Sequence, residues 1–95
     1  MGSKEAGVVA VSLEIYVDRD CFVCRASEGL AAGVQAEFPD VGVHVIDLGG
    51  PGGEHRHLVV ATPTYILNGR VFSLGNPAHA ELHGAIRRLR DEAAS

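Results

Sequence analysis

Leu13-Glu14-Ile15-Tyr16-Val17-Asp18-Arg19-Asp20-Cys21-Phe22-Val23-Cys24 is the stretch that decides the fold. Leu13, Ile15 and Val17 alternate with Glu14 and Tyr16, which is the period of a half-buried strand. With the apolar residues before them they predict a strand over about residues 9–17, broken by Asp18-Arg19-Asp20. A C-x-x-C pair follows at once, and it holds both cysteines of the 95-residue chain. A bridge across so short a loop stabilises a fold by about 2 kcal/mol at most, less than a long-range bridge would. Two cysteines are also too few for a disulfide scaffold. The pair is better explained by chemistry than by stapling.

Beyond the pair the period changes. Val23, Ala26, Leu30, Val34 and Phe38 recur at three- and four-residue steps and predict a helix over Phe22–Phe38 with that stripe inward. Arg25, Glu28, Gln35 and Glu37 fall on the other side. Gly29 and Gly33 share a face and are expected to let the helix sit close to a sheet. Pro39-Asp40 ends it, because the residue before proline disfavours helical angles. Val41 to Leu48 reads as a second strand, with Val41, Val43, Val45 and Asp47 on one face. Strand, helix and strand at this spacing form a βαβ unit, so the two strands should be parallel.

Gly49-Gly50-Pro51-Gly52-Gly53 is a loop, and Glu54 to Leu58 is expected to form a turn of helix. Thr64–Leu67 and Val71–Leu74 are short strands around Asn68-Gly69, a strong hairpin signal. Asn76-Pro77 opens a last helix to about Glu92, with Leu82, Ala85, Ile86 and Leu89 inward and Arg87, Arg88 and Arg90 near its C-terminal end. The order is β-α-β then β-β-α. That is an α/β fold: a four-stranded mixed sheet with helices packed on its faces, in a single domain over residues 1–95, with 1–8 as a frayed end.

Composition excludes other classes. The net charge of -4 argues against nucleic acid as the main partner. No apolar run approaches the roughly 20 residues that span a bilayer. The start, Met1 to Gly7, is too polar for a signal peptide, so the expected compartment is the cytoplasm.

A C-x-x-C at a strand-to-helix junction puts its first cysteine at a helix N-terminus, where unpaired N–H groups and the helix dipole favour a thiolate. Cys21 is then the attacking thiol and Cys24, one turn in, resolves the mixed disulfide. Asp18 and Asp20 oppose ionisation of Cys21 while Arg19 and Arg25 favour it, so the helix terminus decides and a moderately lowered pKa is expected. Phe22 and Val23 offer the thiolate no side-chain hydrogen bond, which places the pair towards the reducing side.

With these features together the sequence resembles the thioredoxin superfamily, as a small thioredoxin-like or glutaredoxin-like protein. The resemblance spans about residues 11–92. It rests on the strand ending before Cys21-Phe22-Val23-Cys24, the helix running into a second strand, Thr62-Pro63-Thr64 opening the third strand, the hairpin Tyr65 to Val71, and Gly75. It implies a thioredoxin-like fold, a cis Pro63 beside the cysteines, and Thr62, Pro63 and Gly75 as substrate-positioning residues, with the Thr62 backbone pairing a bound chain. It further implies a thiol–disulfide oxidoreductase that reduces protein or small-molecule disulfides, is recycled by a reductase or a thiol, and needs no organic cofactor. The chain departs from the family in three places. It has no tryptophan, and Asp20 stands before the first cysteine. The family's buried acid would fall near Ile15. Leu74-Gly75-Asn76-Pro77 replaces the glutaredoxin Gly-Gly and acidic motif, so glutathione is not supported as a dedicated partner.

The competing reading is a non-catalytic module that uses the pair for soft-metal carriage or redox sensing. One C-x-x-C supplies two of the four ligands a tetrahedral zinc needs. His55 and His57 have neither a shared helix face nor a zinc spacing and read as solvated loop, and His44 as a strand surface residue. His79 and His83 are four apart on a helix and could bind a metal as a pair, but they read as a surface coincidence. The glycines at 49–53 lack the Lys-Ser/Thr of a phosphate loop. The three arginines of the last helix read as a solvated end.

Overall fold

Asn68 and Gly69 have φ of 52° and 82°. Positive φ at both central residues is the requirement of the tightest right-twisted hairpin. The computed structural model describes residues 11–18, 21–49 and 61–94. The hairpin joins β3 (Thr64–Leu67) to β4 (Arg70–Leu74), with a register shift between Tyr65 and Ile66. Ahead of it come β1 (Ser12–Val17), α1 (Cys24–Glu37) and β2 (Gly42–Asp47), and after it α2 (His79–Ala94). The sheet order is β2-β1-β3-β4. Strand β1 runs parallel to β2 and antiparallel to β3. This is the expected β-α-β then β-β-α arrangement. Asn68 also ties the hairpin to β1: its Oδ1 accepts from Ser12 N–H at 2.8 Å, and its own N–H donates to Ser12 O at 2.9 Å.

Leu13 pairs with Leu67 and Ile15 with Tyr65, so all four project from one face of the sheet. They share a single core with Ala31, Val34 and Phe38 of the α1 side and Leu82, Ala85 and Ile86 of α2. Both described helices therefore lie over the same face, rather than one on each. No described helix is long and apolar enough to cross a membrane.

Three expectations are corrected. The buried row of α1 is Cys24, Ser27, Ala31 and Val34. Its first three positions are one residue out of phase with the expected stripe, so Val23 and Ala26 are exposed and Leu30 is half-buried, whereas Val34 and Phe38 are buried as expected. The helix also starts two residues later than its apolar pattern, leaving Phe22 outside it. Val45 is 43% exposed because β2 is an edge strand, though Val43 does pack against the core. Gly29 faces open space and makes no close approach to the sheet, whereas Gly33 lies beneath His79 and His83 of α2. Residues 9 and 10 of the expected first strand, the loop residues 50–53, the expected helical turn 54–58, and His55 and His57 lie outside the described residues.

His83 is 2% exposed and not a surface residue. Its ring stacks on His79 at 3.7 Å between centroids and tilts against Phe38. Its Nδ1 lies 2.6 Å from Glu37 Oε1, and with the carboxylate ionised that nitrogen is the donor. The acid that meets His83 comes from the end of α1. Arg87 donates to the same carboxylate, and Arg90 to Asp40 at 3.1 Å, with both guanidinium groups over the Phe38 ring. The arginines thus fasten the end of α1. The described residues contain no group of three ligating side chains able to hold a metal.

The His83 hydrogen bond, with Arg87 beside it, holds the Glu37 carboxyl below its ordinary 4.5. A carboxyl lowered by folding stabilises the protein above its unfolded pKa, and that contribution is lost as pH falls through the folded pKa. Glu37→Gln should therefore melt below the wild type at neutral pH, with a gap that is complete above about pH 4.5 and closes on further acidification. Thermal melts across that range check it; a gap independent of pH would remove the carboxylate's charge from the account.

Candidate active site

Strand β1 ends at Val17, and the chain turns into α1 through hydrogen bonds of its own backbone. Cys21 N–H donates to Asp18 O at 3.0 Å and Cys24 N–H to Cys21 O at 3.2 Å. The N-cap of α1 is Val23, which has no side chain to accept from the first turn. Cys21 and Cys24 are joined by a disulfide, with their Cα atoms 5.3 Å apart. They differ in access: Cys21 is half-buried at the surface, while Cys24 is 6% exposed and belongs to the inner row of the helix. Phe22, 93% exposed, and Val23, 53% exposed, stand out between them. An open hollow of about 950 Å³ borders the pair, lined with it by Val17, Asp18, Asp47 and Asn76 among others.

Sheet register explains which residues gather here. Val17 pairs with Asp47, Tyr16 with Thr64, and Thr64 with Leu74. The end of β1, the end of β2, the start of β3 and the end of β4 thus lie along one edge of the sheet. Residues far apart in sequence meet there because β3 runs opposite to β1.

Thr62 and Pro63 enter β3 at this edge through a cis peptide bond, and Pro63 is fully buried. The Thr64 hydroxyl donates to Ala61 O, closing the turn over the proline. Pro63 O accepts from Gly75 N–H at 2.7 Å, and Gly75 holds φ of 103°, where a side chain would be strained. Thr62, Pro63 and Gly75 are therefore one linked unit. They do not line the hollow themselves; Asn76, the next residue, does.

Asn76 is the site residue that periodicity and motif reading miss. Its Oδ1 accepts from the Ser27 hydroxyl and from the Tyr65 phenol, each at 2.7 Å, and its Nδ2 donates to Val23 O at 2.8 Å. Ser27 and Tyr65 are both fully buried, so the amide satisfies two hydroxyls that would otherwise be costly to bury. Burial pushes the Tyr65 phenol above its ordinary 10.0 and keeps it a proton donor at neutral pH. The only signal in the sequence is Ser27 one turn after Cys24, and serine in a helix usually reads as exposed.

Ile15 is fully buried in the core, so no acid stands at that position beneath the cysteines. The carboxylates that line the hollow among the described residues are Asp18, Glu28 and Asp47, and Asp47 accepts from Gly49 N–H at 2.8 Å.

No protein-family model matches the chain, and no curated protein matches it. Solved structures do. Thioredoxin 1 from Thermosipho africanus superposes with a TM-score of 0.68 at 23% identity, over 88% of this chain and 99% of that one. Oxidised thioredoxin O2 from Arabidopsis thaliana gives 0.67 at 18% identity, over 85% and 76%. A chain from the complex of ferredoxin:thioredoxin reductase with thioredoxin f2 gives 0.67 at 13% identity, over 90% and 83%. These likenesses are of fold, and the chain has the thioredoxin fold.

Removing one of the two donors to Asn76 should cost about 0.5–1.5 kcal/mol, the usual net worth of a hydrogen bond. Tyr65→Phe is expected to lose that much in urea unfolding with an unchanged m-value. Full retention of stability would mean the phenol contributes nothing to the network.

Proposed function

We propose that this chain is a thiol–disulfide oxidoreductase whose redox centre is Cys21 and Cys24. The observation that carries the reading is the disulfide at the start of α1, with Cys21 accessible and Cys24 buried behind it.

The asymmetry assigns the roles. In the reduced protein the Cys21 thiolate attacks one sulfur of a substrate disulfide. A Cys21–substrate bond forms and the substrate's other sulfur leaves as a thiolate. Cys24 then gives up its proton to solvent and attacks Cys21 Sγ, releasing the second substrate sulfur. The substrate disulfide gains two electrons and the pair loses them. The dipole at the start of α1 favours the Cys21 thiolate over the thiol. With Ile15 at the position of the family's buried acid, water in the hollow and the carboxylates that line it, Asp18, Glu28 and Asp47, are the candidate proton acceptors.

Thr62 and Pro63 lie on the same sheet edge. A disulfide-bearing chain laid beside Thr62 would pair with its backbone as an added strand, and Gly75 keeps that segment in place through Pro63 O. The substrate is a disulfide in a protein or small molecule. The oxidised pair returns to the dithiol through a reductase or a thiol, and the structural neighbour in complex with ferredoxin:thioredoxin reductase supports a partner of that kind.

A redox titration in graded thiol–disulfide buffers, read by alkylation and intact mass, tests the proposal. The wild type should show one two-electron transition. Cys21→Ser should lower disulfide turnover to the uncatalysed rate, and Cys24→Ser should trap a stable mixed disulfide through Cys21. Absence of an intramolecular disulfide at every poise would overturn the proposal.

A further inference from the structure

We infer that Asn76 is a positioning residue for the resolving step, holding Cys24 in reach of Cys21 once the disulfide is open. The inference rests on the dithiol reading above and adds a residue that the reading does not need.

The carbonyl that Asn76 holds belongs to the peptide linking Val23 to Cys24, so the 2.8 Å bond from Nδ2 fixes the plane from which Cys24 departs. The orientation of the amide is determined. Val23 O can only accept, so the nitrogen must face it, and the oxygen is left to the two hydroxyls. Ser27 belongs to α1 and Tyr65 to β3, so one side chain joins the helix start to the sheet. Through the backbone it continues into Gly75, whose N–H holds Pro63 O. The dithiol turn and the proline segment are thus set relative to one another by residues 75 and 76.

This matters most in the reduced and mixed-disulfide states. In the oxidised protein the sulfur–sulfur bond itself closes the turn. When that bond is open, the turn among the described residues is held by local backbone hydrogen bonds and by Asn76 at Val23 O, and Val23 has no side-chain cap to add. In the mixed disulfide the Cys24 thiolate must attack Cys21 Sγ, forming the internal bond as the Cys21–substrate bond breaks and the substrate leaves as a thiolate. The rate and equilibrium of that step depend on the effective concentration of Cys24 at Cys21, which a fixed helix start raises. Loosening Val23 lowers it, and the internal disulfide becomes easier to reduce.

Two full-length variants test the role. Asn76→Ala removes the whole contact. Asn76→Asp keeps an acceptor for Ser27 and Tyr65 but sets a carboxylate oxygen against Val23 O. Both should lower the equilibrium constant for internal disulfide formation against glutathione about tenfold, a rise of about 30 mV for a two-electron couple. Both should lengthen the life of a Cys21–glutathione mixed disulfide by a similar factor. Ile86→Val, in the core away from the site, should lower Tm and move neither quantity. Unchanged equilibrium and lifetime in the Asn76 variants, with only Tm reduced, would overturn the inference and leave the dithiol reading standing. An Ile86→Val shift as large as theirs would also overturn it, since the readouts would then follow stability alone. A wild type that forms no internal disulfide would overturn both.

Discussion

Strand β1 is hydrogen-bonded along both edges, parallel on one side and antiparallel on the other, and the site depends on that difference. The parallel bond to β2 sends the ends of β1 and β2 to the same edge of the sheet. The antiparallel bond to β3 brings the beginning of β3 there, and the hairpin returns the end of β4. Asp47, Pro63 and Gly75, and the turn that carries Cys21, are far apart along the chain and come to one end of the sheet because one central strand takes partners of opposite sense. Leu13 and Ile15, both fully buried, hold that strand in register, since a slip of one residue would turn them out of the core.

Helix α1 is then fastened at each end by different chemistry. At its start, the Asn76 amide binds Val23 O and the Ser27 hydroxyl. At its finish, Glu37 receives His83 and Arg87 from α2, and Arg90 reaches Asp40 just beyond. The far end uses ionic groups and a ring stack, partly open to water. The near end uses neutral hydrogen bonds, from an exposed one at Val23 O to those of the buried Ser27 and Tyr65 hydroxyls. A neutral fastening beside the cysteines leaves the charge that lines the hollow to Asp18, Arg25, Glu28 and Asp47, with the helix terminus beside them. The environment of the thiolate can therefore differ from that of the rest of the helix without weakening its attachment.

Much of this was legible in the chain, and the parts that were not share a cause. Local signals came through. The alternation of Leu13, Ile15 and Val17, the Asn68-Gly69 turn, the Pro39 stop and the C-x-x-C each depend on residues within a few positions of one another. The phase of α1 did not come through. Reading apolar character selects Val23, Ala26 and Leu30, whereas the buried row runs through Cys24 and Ser27. Serine can sit in that row because Asn76, 49 positions away, accepts its hydroxyl. His83 was missed for the same reason, since the acid that meets its Nδ1 is 46 positions distant. A polar side chain appears exposed until its partner is known, and the partner is supplied by tertiary structure.

The misplaced phase has a functional side. Turning the start of α1 by one position would bury Val23 and Ala26 in place of Cys24 and Ser27, at about 25 cal/mol for each Å² of apolar surface removed from water. The observed phase forgoes that gain and leaves Phe22, Val23 and Ala26 in the open around the disulfide. What it secures is the burial of Cys24 and the contact of Ser27 with Asn76. The same rotation would carry Cys24 outward, so that both thiols became accessible and neither was set apart as the resolving one. The phase that looks wrong by hydrophobicity is the one that makes the two cysteines unequal, and a dithiol that attacks with one sulfur and resolves with the other requires that inequality.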